Sequence, residues 1–202
     1  MAKRPATLLR PRIERNRSRK PGPERPVEAI IEAPELKQAP ATAGPSFAIA
    51  VATAGGAGFA PIAPGTFGSA VGVAVFLVLA DLNLVLFGIT LLGFAFLGIW
   101  ASDVAERHFG QHDDGRIVID EVVGQLLTLA PLLALAPAAG RRAPGWLFAG
   151  FLLFRLLDIW KPPPIGWAER SFKGGAGVMM DDVFAGILGG VLVGVALVWV
   201  GT

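Results

Sequence analysis

The sequence predicts an all-α fold, a polytopic membrane helix bundle with about four to five short transmembrane helices. Hydrophobic residues make up 53% of the 202 residues and charged residues only 17%, whereas a soluble domain is usually about 25% charged. Long apolar runs also recur beyond residue 45. Composition and pattern therefore both indicate a membrane protein.

Residues 1–44 are predicted to form a disordered, Pro-rich cytoplasmic tail, and residues 45–202 the membrane-embedded domain. The tail holds 10 Lys/Arg against 5 Asp/Glu and shows no apolar period, so it lacks the apolar surface that would offset the entropy of ordering. Two interpretations of the tail stay open: a solvated segment, or a tether attracted to anionic lipid headgroups.

The membrane domain begins with an apolar stretch, residues 45–66, that Gly and Pro interrupt; this predicts a re-entrant or interfacial segment packed near a functional site. Five segments expected to be membrane-crossing helices follow, at residues 67–80, 83–101, 122–136, 145–160 and 183–200. If all five cross, the tail and the loops 102–121 and 161–182 share one side. That side carries most of the Lys and Arg, so the positive-inside rule places it in the cytoplasm.

Two pairs of adjacent acids lie on this predicted cytoplasmic side. Asp120 and Glu121 start the third helix, and Asp181 and Asp182 are expected to start the fifth. An acid at a helix N-terminus can cap free N–H groups, which is the alternative for the first pair. A cap needs only one acid, however, and adjacent carboxylates favour a hard cation, with Mg²⁺ preferred because it needs few protein ligands.

Glycines precede the second acidic pair. Gly174, Gly175 and Gly177 are expected to form a loop whose N–H groups approach a phosphate, with Lys173 adding positive charge. A second set of glycines lies further along the fifth helix, with the spacing that allows close helix approach within the chain or between copies of it; these are Gly186, Gly190 and Gly194.

On the fourth helix, Arg155, Asp158 and Lys161 lie three residues apart and share roughly one face. Arg155 and Asp158 are expected either to form an ion pair that keeps both charges in the membrane, or to serve phosphate and metal, and one site satisfies both interpretations. His112 lies beside two aspartates in a loop; it is either a solvated histidine or a proton donor to a leaving group.

Four ordered motifs resemble the phosphatidylglycerophosphatase A family. They are GFAPIAPGTFGS (58–69), HDDGRIVIDEVVG (112–124), FRLLDIWKPPPIGWAER (154–170) and GGAGVMMDDVFAG (174–186). The resemblance covers residues 45–202. It implies a phosphatase of the bacterial inner membrane that is multi-pass, has its active site facing the cytoplasm, and hydrolyses phosphatidylglycerophosphate to phosphatidylglycerol and inorganic phosphate with Mg²⁺. No nucleic-acid partner is expected.

Residue chemistry agrees with this activity. The chain has no cysteine, which excludes a cysteine nucleophile and Cys-ligated zinc. It also lacks a DxDxT or DxDxV run for a phosphoaspartate intermediate and the two well-separated histidine motifs of lipid phosphatases with a histidine nucleophile. A carboxylate-bound metal that activates water is left as the mechanism. The predicted metal ligands are Asp120, Glu121, Asp181 and Asp182, with Asp158 as a further candidate. The predicted phosphate contacts are Arg155, Lys161, Arg170 and Lys173.

Two other functions are weighed against this one. A CDP-alcohol phosphotransferase also binds Mg²⁺ through acids in the membrane, but its DGxxAR…GxxxDxxxD spacing is absent. A non-catalytic transporter or channel would carry charges near the middle of the membrane, whereas here they gather at one end of the predicted helices.

Overall fold

The fold is that of a computed structural model, which describes residues 43–136 and 140–200 and, within them, the side chains of all but residues 43–45 and 168–170. The predicted tail lies outside the described residues except for its last two, which belong to the first helix. Seven α-helices are described, with a short 3₁₀ helix, Ala54–Phe59, after the first. They are α1 (Ala43–Ala52), α2 (Pro64–Leu79), α3 (Leu84–Phe109), α4 (Ile119–Leu135), α5 (Pro144–Trp160), α6 (Ile165–Ser171) and α7 (Gly174–Val200).

The prediction of an all-α fold is confirmed for the described residues, which contain no β-strand. The five predicted segments correspond to α2, α3, α4, α5 and α7. Local residues mark where these helices begin. Pro64 and Pro144 occupy the first turns of α2 and α5, where a missing N–H costs nothing. The Asn83 side chain caps α3 by accepting a hydrogen bond from the Leu86 N–H at 2.9 Å.

Two predicted helix boundaries are wrong. α3 continues to Phe109 rather than ending at Ala101, because its last two turns are polar and carry no apolar period to follow. α7 begins at Gly174 rather than Val183, so Asp181 and Asp182 lie two turns inside the helix and not at its start. Glycine disfavours a helix locally, and here contact with α3 outweighs that preference.

α4 is the central helix, packed against α2, α3, α5 and α7, with eleven of its seventeen residues buried. Close approach depends on glycine: a Cβ on Gly186 would lie 2.5 Å from the Gly124 carbonyl oxygen, and one on Gly190 would lie 2.9 Å from that of Leu127. These glycines were predicted to allow close helix approach either within the chain or between copies of it, and Gly186 and Gly190 do so within the chain.

Two of the described helices, Leu84–Phe109 and Gly174–Val200, are long and apolar enough to cross a membrane by length and composition. Large apolar side chains are also exposed on several helices, among them Val78 at 80% and Trp199 at 86%. The alternation of helices brings the starts of α2, α4 and α7 and the end of α5 to one end of the bundle. Every predicted site residue with a described side chain lies toward that end.

Candidate active site

Five carboxylates from three helices meet at this end of the bundle. Asp120 and Glu121 come from the first turn of α4, Asp158 from the last turn of α5, and Asp181 and Asp182 from α7. They form two groups of three, Asp120–Glu121–Asp182 and Asp158–Asp181–Asp182, in each of which one oxygen per residue lies within 4.8 Å of the others. The two acidic pairs predicted from sequence are thus brought together, with Asp158 beside them.

The first turn of α4 holds its acids in a buried position without using either as the N-cap residue. Val118 is the N-cap residue and makes no side-chain capping bond; its own N–H donates to the Ala52 carbonyl at 2.8 Å, which ties α4 to the end of α1. Asp120 is only 7% exposed and accepts a hydrogen bond from the Glu121 N–H at 3.1 Å. Asp120 thus caps one free N–H of the first turn, as the capping alternative expects, and that alternative leaves Glu121 unexplained.

Two cations hold two of the acids. Arg155 Nη1 donates to Asp158 Oδ2 at 2.6 Å, and Lys161 Nζ donates to Asp181 Oδ2 at 2.7 Å. The first contact is the ion pair predicted within α5. The second follows from the end of α5, where Lys161 adopts the left-handed C-cap conformation before the prolines. Both cations lie among the acids, while their predicted contact with phosphate stays a prediction.

The donor set fits a hard divalent cation. Among the described residues, Glu121 Oε2 and Asp182 Oδ1 are buried oxygen atoms with no hydrogen-bond partner, and Asp182 is only 3% exposed. A buried carboxylate oxygen without a partner is costly. Carboxylate oxygens are also the ligands that Mg²⁺ prefers, so these acids fit the ion, and their predicted binding of Mg²⁺ stays a prediction.

Gly65 brings the start of α2 against the acids. A Cβ on Gly65 would lie 2.2 Å from Glu121 Oε1 and 3.2 Å from Arg155 Nη1, so a side chain at position 65 would displace the Glu121 carboxylate. Gly68, one turn on, is also packed closely against Val118, its Cβ position being 2.8 Å from the valine Cβ. The expectation that residues 45–66 pack near the site holds for Gly65, at the end of that stretch.

The glycine run before the second acidic pair is the start of α7 and not a loop, so that part of the prediction is wrong, while the contact of these glycines with phosphate stays a prediction. Gly174 and Gly175 begin α7, and a Cβ on Gly175 would lie 2.1 Å from the Ile99 carbonyl oxygen of α3. The Gly175 N–H donates to Asp103 Oδ1 at 2.6 Å. The glycines thus allow α7 to pack on α3, and Lys173 is exposed just before the first residue of α7.

Asp103 is the residue that sequence reasoning missed. It lies in the polar last part of α3, which was predicted to be a loop, and it supplies the acceptor that the first turn of α7 lacks within its own sequence. The acid-to-glycine pairing spans 72 positions, so no local pattern indicates it.

His112 lies at the edge of the site. With Asp113, Gly177, Val178 and Asp181 it lines a cleft of about 200 Å³, so the loop histidine and an acid of the cluster share one opening. Its Nδ1 contacts Glu106 Oε1, and the imidazole is 65% exposed. This position is compatible with both roles considered for His112. The side chain of Arg170, the last predicted phosphate contact, lies outside the described residues.

A second acid–base pair, outside the cluster, fixes the loop before α4. Arg116 donates from Nε and Nη2 to the two oxygens of Asp114, each at 2.7 Å, and its guanidinium stacks on Phe109 at 3.8 Å from the ring centre. These hydrogen bonds hold the pKa of Asp114 below its usual value. Asp114 is thereby a structural residue of the loop.

Comparison with known proteins gives the family. The family model of phosphatidylglycerophosphatase A matches residues 50–197, which include all four motifs and all five carboxylates. The chain belongs to the phosphatidylglycerophosphatase A family. The resemblance seen in the sequence is confirmed, and so is the prediction that the chain is an enzyme, a phosphatase by family.

Individual relatives agree with this assignment. Phosphatidylglycerophosphatase A of Escherichia coli is 36% identical over 133 residues, covering 66% of this chain and 73% of the relative; that of Haemophilus influenzae is 34% identical over 145 residues, covering 71% and 85%. A Bacteroides thetaiotaomicron protein with the provisional name phosphatidylinositol-3-phosphatase is 41% identical over 158 residues, covering 75% and 95%. No solved structure gives a significant match.

Proposed function

We propose that this phosphatase hydrolyses the phosphomonoester of phosphatidylglycerophosphate, with Mg²⁺, to phosphatidylglycerol and inorganic phosphate in phospholipid biosynthesis. One observation carries the chemistry: five carboxylates and two cations from three helices converge at one end of an apolar bundle, with two buried acid oxygens lacking a partner among the described residues. The names of the Escherichia coli and Haemophilus influenzae relatives support the substrate.

The chemistry follows from the residues present. Asp120, Glu121, Asp181 and Asp182, with Asp158, would hold Mg²⁺, which when bound polarises a phosphoryl oxygen and lowers the pKa of a water ligand. Arg155 and Lys161 would donate to phosphoryl oxygens, where charge grows in the transition state. Water attacks phosphorus and gives up one proton to a carboxylate of the cluster, the P–O ester bond breaks, and the leaving lipid alkoxide takes a proton that His112 would supply.

We also propose that the enzyme is a multi-pass protein of the bacterial inner membrane with its active site facing the cytoplasm. Four to five of the helices would cross, two by their own length and the shorter ones by tilting or local thinning of the bilayer. The exposed apolar side chains support this location, since soluble proteins rarely expose contiguous apolar patches of more than a few hundred Å². Lys and Arg near the site end favour the cytoplasmic orientation.

The test is phosphate release from phosphatidylglycerophosphate in mixed micelles by the purified protein. Release is expected with Mg²⁺, is expected to stop with EDTA, and should return when Mg²⁺ is restored. Glu121→Gln and Asp181→Asn should each lower turnover by more than about 100-fold while the protein stays in the membrane fraction. Absence of metal-dependent release would contradict the proposal; phosphotransfer from a CDP-linked donor, or transport without release, would instead support the other two functions.

A second substrate has one observation in its favour, the provisional name of the Bacteroides thetaiotaomicron relative. Phosphatidylinositol 3-phosphate carries the same phosphomonoester on a bulky inositol ring, so the same acids and cations would serve it. Both lipids should be assayed side by side at equal surface concentration. A higher kcat/KM on the inositol lipid would reassign the substrate and leave the hydrolytic chemistry unchanged.

A further inference from the structure

The five carboxylates are not one undivided site. Asp120, Glu121 and Asp182 form one group of three and Asp158, Asp181 and Asp182 the other, with one oxygen per residue inside 4.8 Å of its partners in each group. An octahedral Mg²⁺ has neighbouring ligand oxygens about 3 Å apart and opposite ones about 4 Å apart. Each group is therefore close to the size that one ion needs, and Asp182 is common to both.

The two groups differ in how their charge is balanced. In the second group, one oxygen of Asp158 pairs with Arg155 and one oxygen of Asp181 pairs with Lys161. The other oxygen of each carboxylate lies outside these ion pairs. None of the ion pairs among the described residues includes Asp120, Glu121 or Asp182. Asp120 and Asp182 are at least nine-tenths buried, and the unpartnered Asp182 Oδ1 and Glu121 Oε2 lie in this group.

Charge also bears on the number of ions. Among the described side chains of the cluster, five carboxylates against the two paired cations leave three negative charges in excess. One divalent ion would leave one negative charge, which repels the dianionic phosphomonoester of the proposed substrate. Two divalent ions would leave one positive charge, which attracts it.

We propose that the cluster binds two divalent cations, one at Asp120, Glu121 and Asp182 and one at Asp158, Asp181 and Asp182, with Asp182 shared between them. This inference rests on the proposed function and specifies its metal centre. Two such ions would supply the chemistry of two-metal phosphoryl-transfer sites, which stabilise both the attacking and the leaving oxygen. The first ion is expected to bind more tightly, because none of its ligands belongs to an ion pair among the described residues, whereas the second competes with Arg155 and Lys161.

The test is to count Mn²⁺, a paramagnetic substitute for Mg²⁺ that takes the same oxygen ligands. The full-length protein in lipid nanodiscs is loaded with Mn²⁺, freed of excess metal, and examined by elemental analysis and electron paramagnetic resonance. Wild type is expected to hold two ions per chain with the spectrum of a spin-coupled pair. Asp158→Asn should hold one ion with an uncoupled spectrum, since the amide still accepts from Arg155 but loses the ligand charge.

Asp81→Asn is the matched control, because Asp81 lies in the turn between α2 and α3, where it pairs with Arg142, and should leave both ions bound. One ion or none in wild type would overturn the proposal, as would two coupled ions in Asp158→Asn. If Asp158→Asn does not fold, the wild-type count and spectrum still decide. Phosphate release with a single bound ion would support the proposed function and contradict this inference. A coupled pair of ions without phosphate release would support this inference and contradict the proposed function.

Discussion

Gly65 and Glu121 are in direct contact, with the Cβ position of the glycine only 2.2 Å from Glu121 Oε1. The start of α2 therefore forms a wall of the acid cluster and limits where the Glu121 carboxylate can lie. This relationship gives the APGT part of the first motif a physical role that its residue types alone do not reveal.

Gly65→Ala is expected to disable the site without unfolding the protein. The added methyl group must push the Glu121 carboxylate away from Asp120 and Asp182, and misplacement of a catalytic group by about 1 Å costs on the order of 100-fold in rate. The measurement is kcat with the lipid substrate, alongside Mn²⁺ binding. Gly88→Ala is the control, since nothing lies within 4 Å of its Cβ position on α3; equal rates in both variants would contradict the role of Gly65.

Asp103 is expected to act as a positioning residue for α7. Asp103→Ala removes the acceptor of the Gly175 N–H and should destabilise the first turn by about 1 kcal/mol, so amide hydrogen exchange at residues 174–178 should accelerate and kcat should fall. Asp103→Asn should restore both, because its amide oxygen accepts the same hydrogen bond. Unchanged exchange in Asp103→Ala would show that the contact does not hold the helix.

Much of the fold could be predicted because its signals are local. Apolar runs bounded by Asn83, Pro144 and the prolines after Lys161 mark the helices, and the alternation of helix direction brings their charged ends together. The start of α7 could not be predicted in this way. A glycine run is typical of a loop. These residues are helical because they pack against the α3 backbone at Ile99, so closely that a side chain on Gly175 would clash with it.

The candidate site, too, could be predicted only in part from the sequence. Adjacent acids in apolar surroundings identify Asp120, Glu121, Asp181 and Asp182 without any structure, because unexplained charge in such segments is rare. Their partition into two groups around Asp182 and the pairing of Lys161 with Asp181 depend on how α5 and α7 pack. Such contacts between helices have no counterpart in sequence spacing.

The Asp114–Arg116 pair predicts a pH dependence of stability. The pKa of Asp114 is lowered from 3.8 by its hydrogen bonds to Arg116, so its contribution to stability is fully present above that value and is lost as pH falls through the lower, folded-state pKa. The melting temperature of wild type should therefore exceed that of Asp114→Asn above about pH 5, and the difference should shrink below about pH 3.5.

Asp113→Asn is the control for this experiment, because Asp113 is an exposed neighbour in the same loop and its left-handed backbone (φ +50°) tolerates asparagine. Its melting temperature should follow wild type at every pH. A constant difference between wild type and Asp114→Asn across the range would mean that the ion pair does not stabilise the loop.

Arg141, at the opposite end of the bundle from the acids, is expected to matter for stability and not for chemistry. It donates from Nη1 to the Ala80 carbonyl at 3.3 Å and from Nη2 to the Leu133 carbonyl at 3.1 Å, and so places a cation on the C-terminal ends of both α2 and α4. Arg141→Ala should lower the free energy of unfolding by about 1–3 kcal/mol with kcat unchanged. Arg142→Ala is the comparison: its pairing with Asp81 is largely exposed, the two side chains being 41% and 79% accessible, and should contribute less to stability than the Arg141 contacts do. Thermal unfolding in detergent together with turnover checks both; a larger loss in Arg142→Ala, or reduced kcat in folded Arg141→Ala, would contradict this assignment.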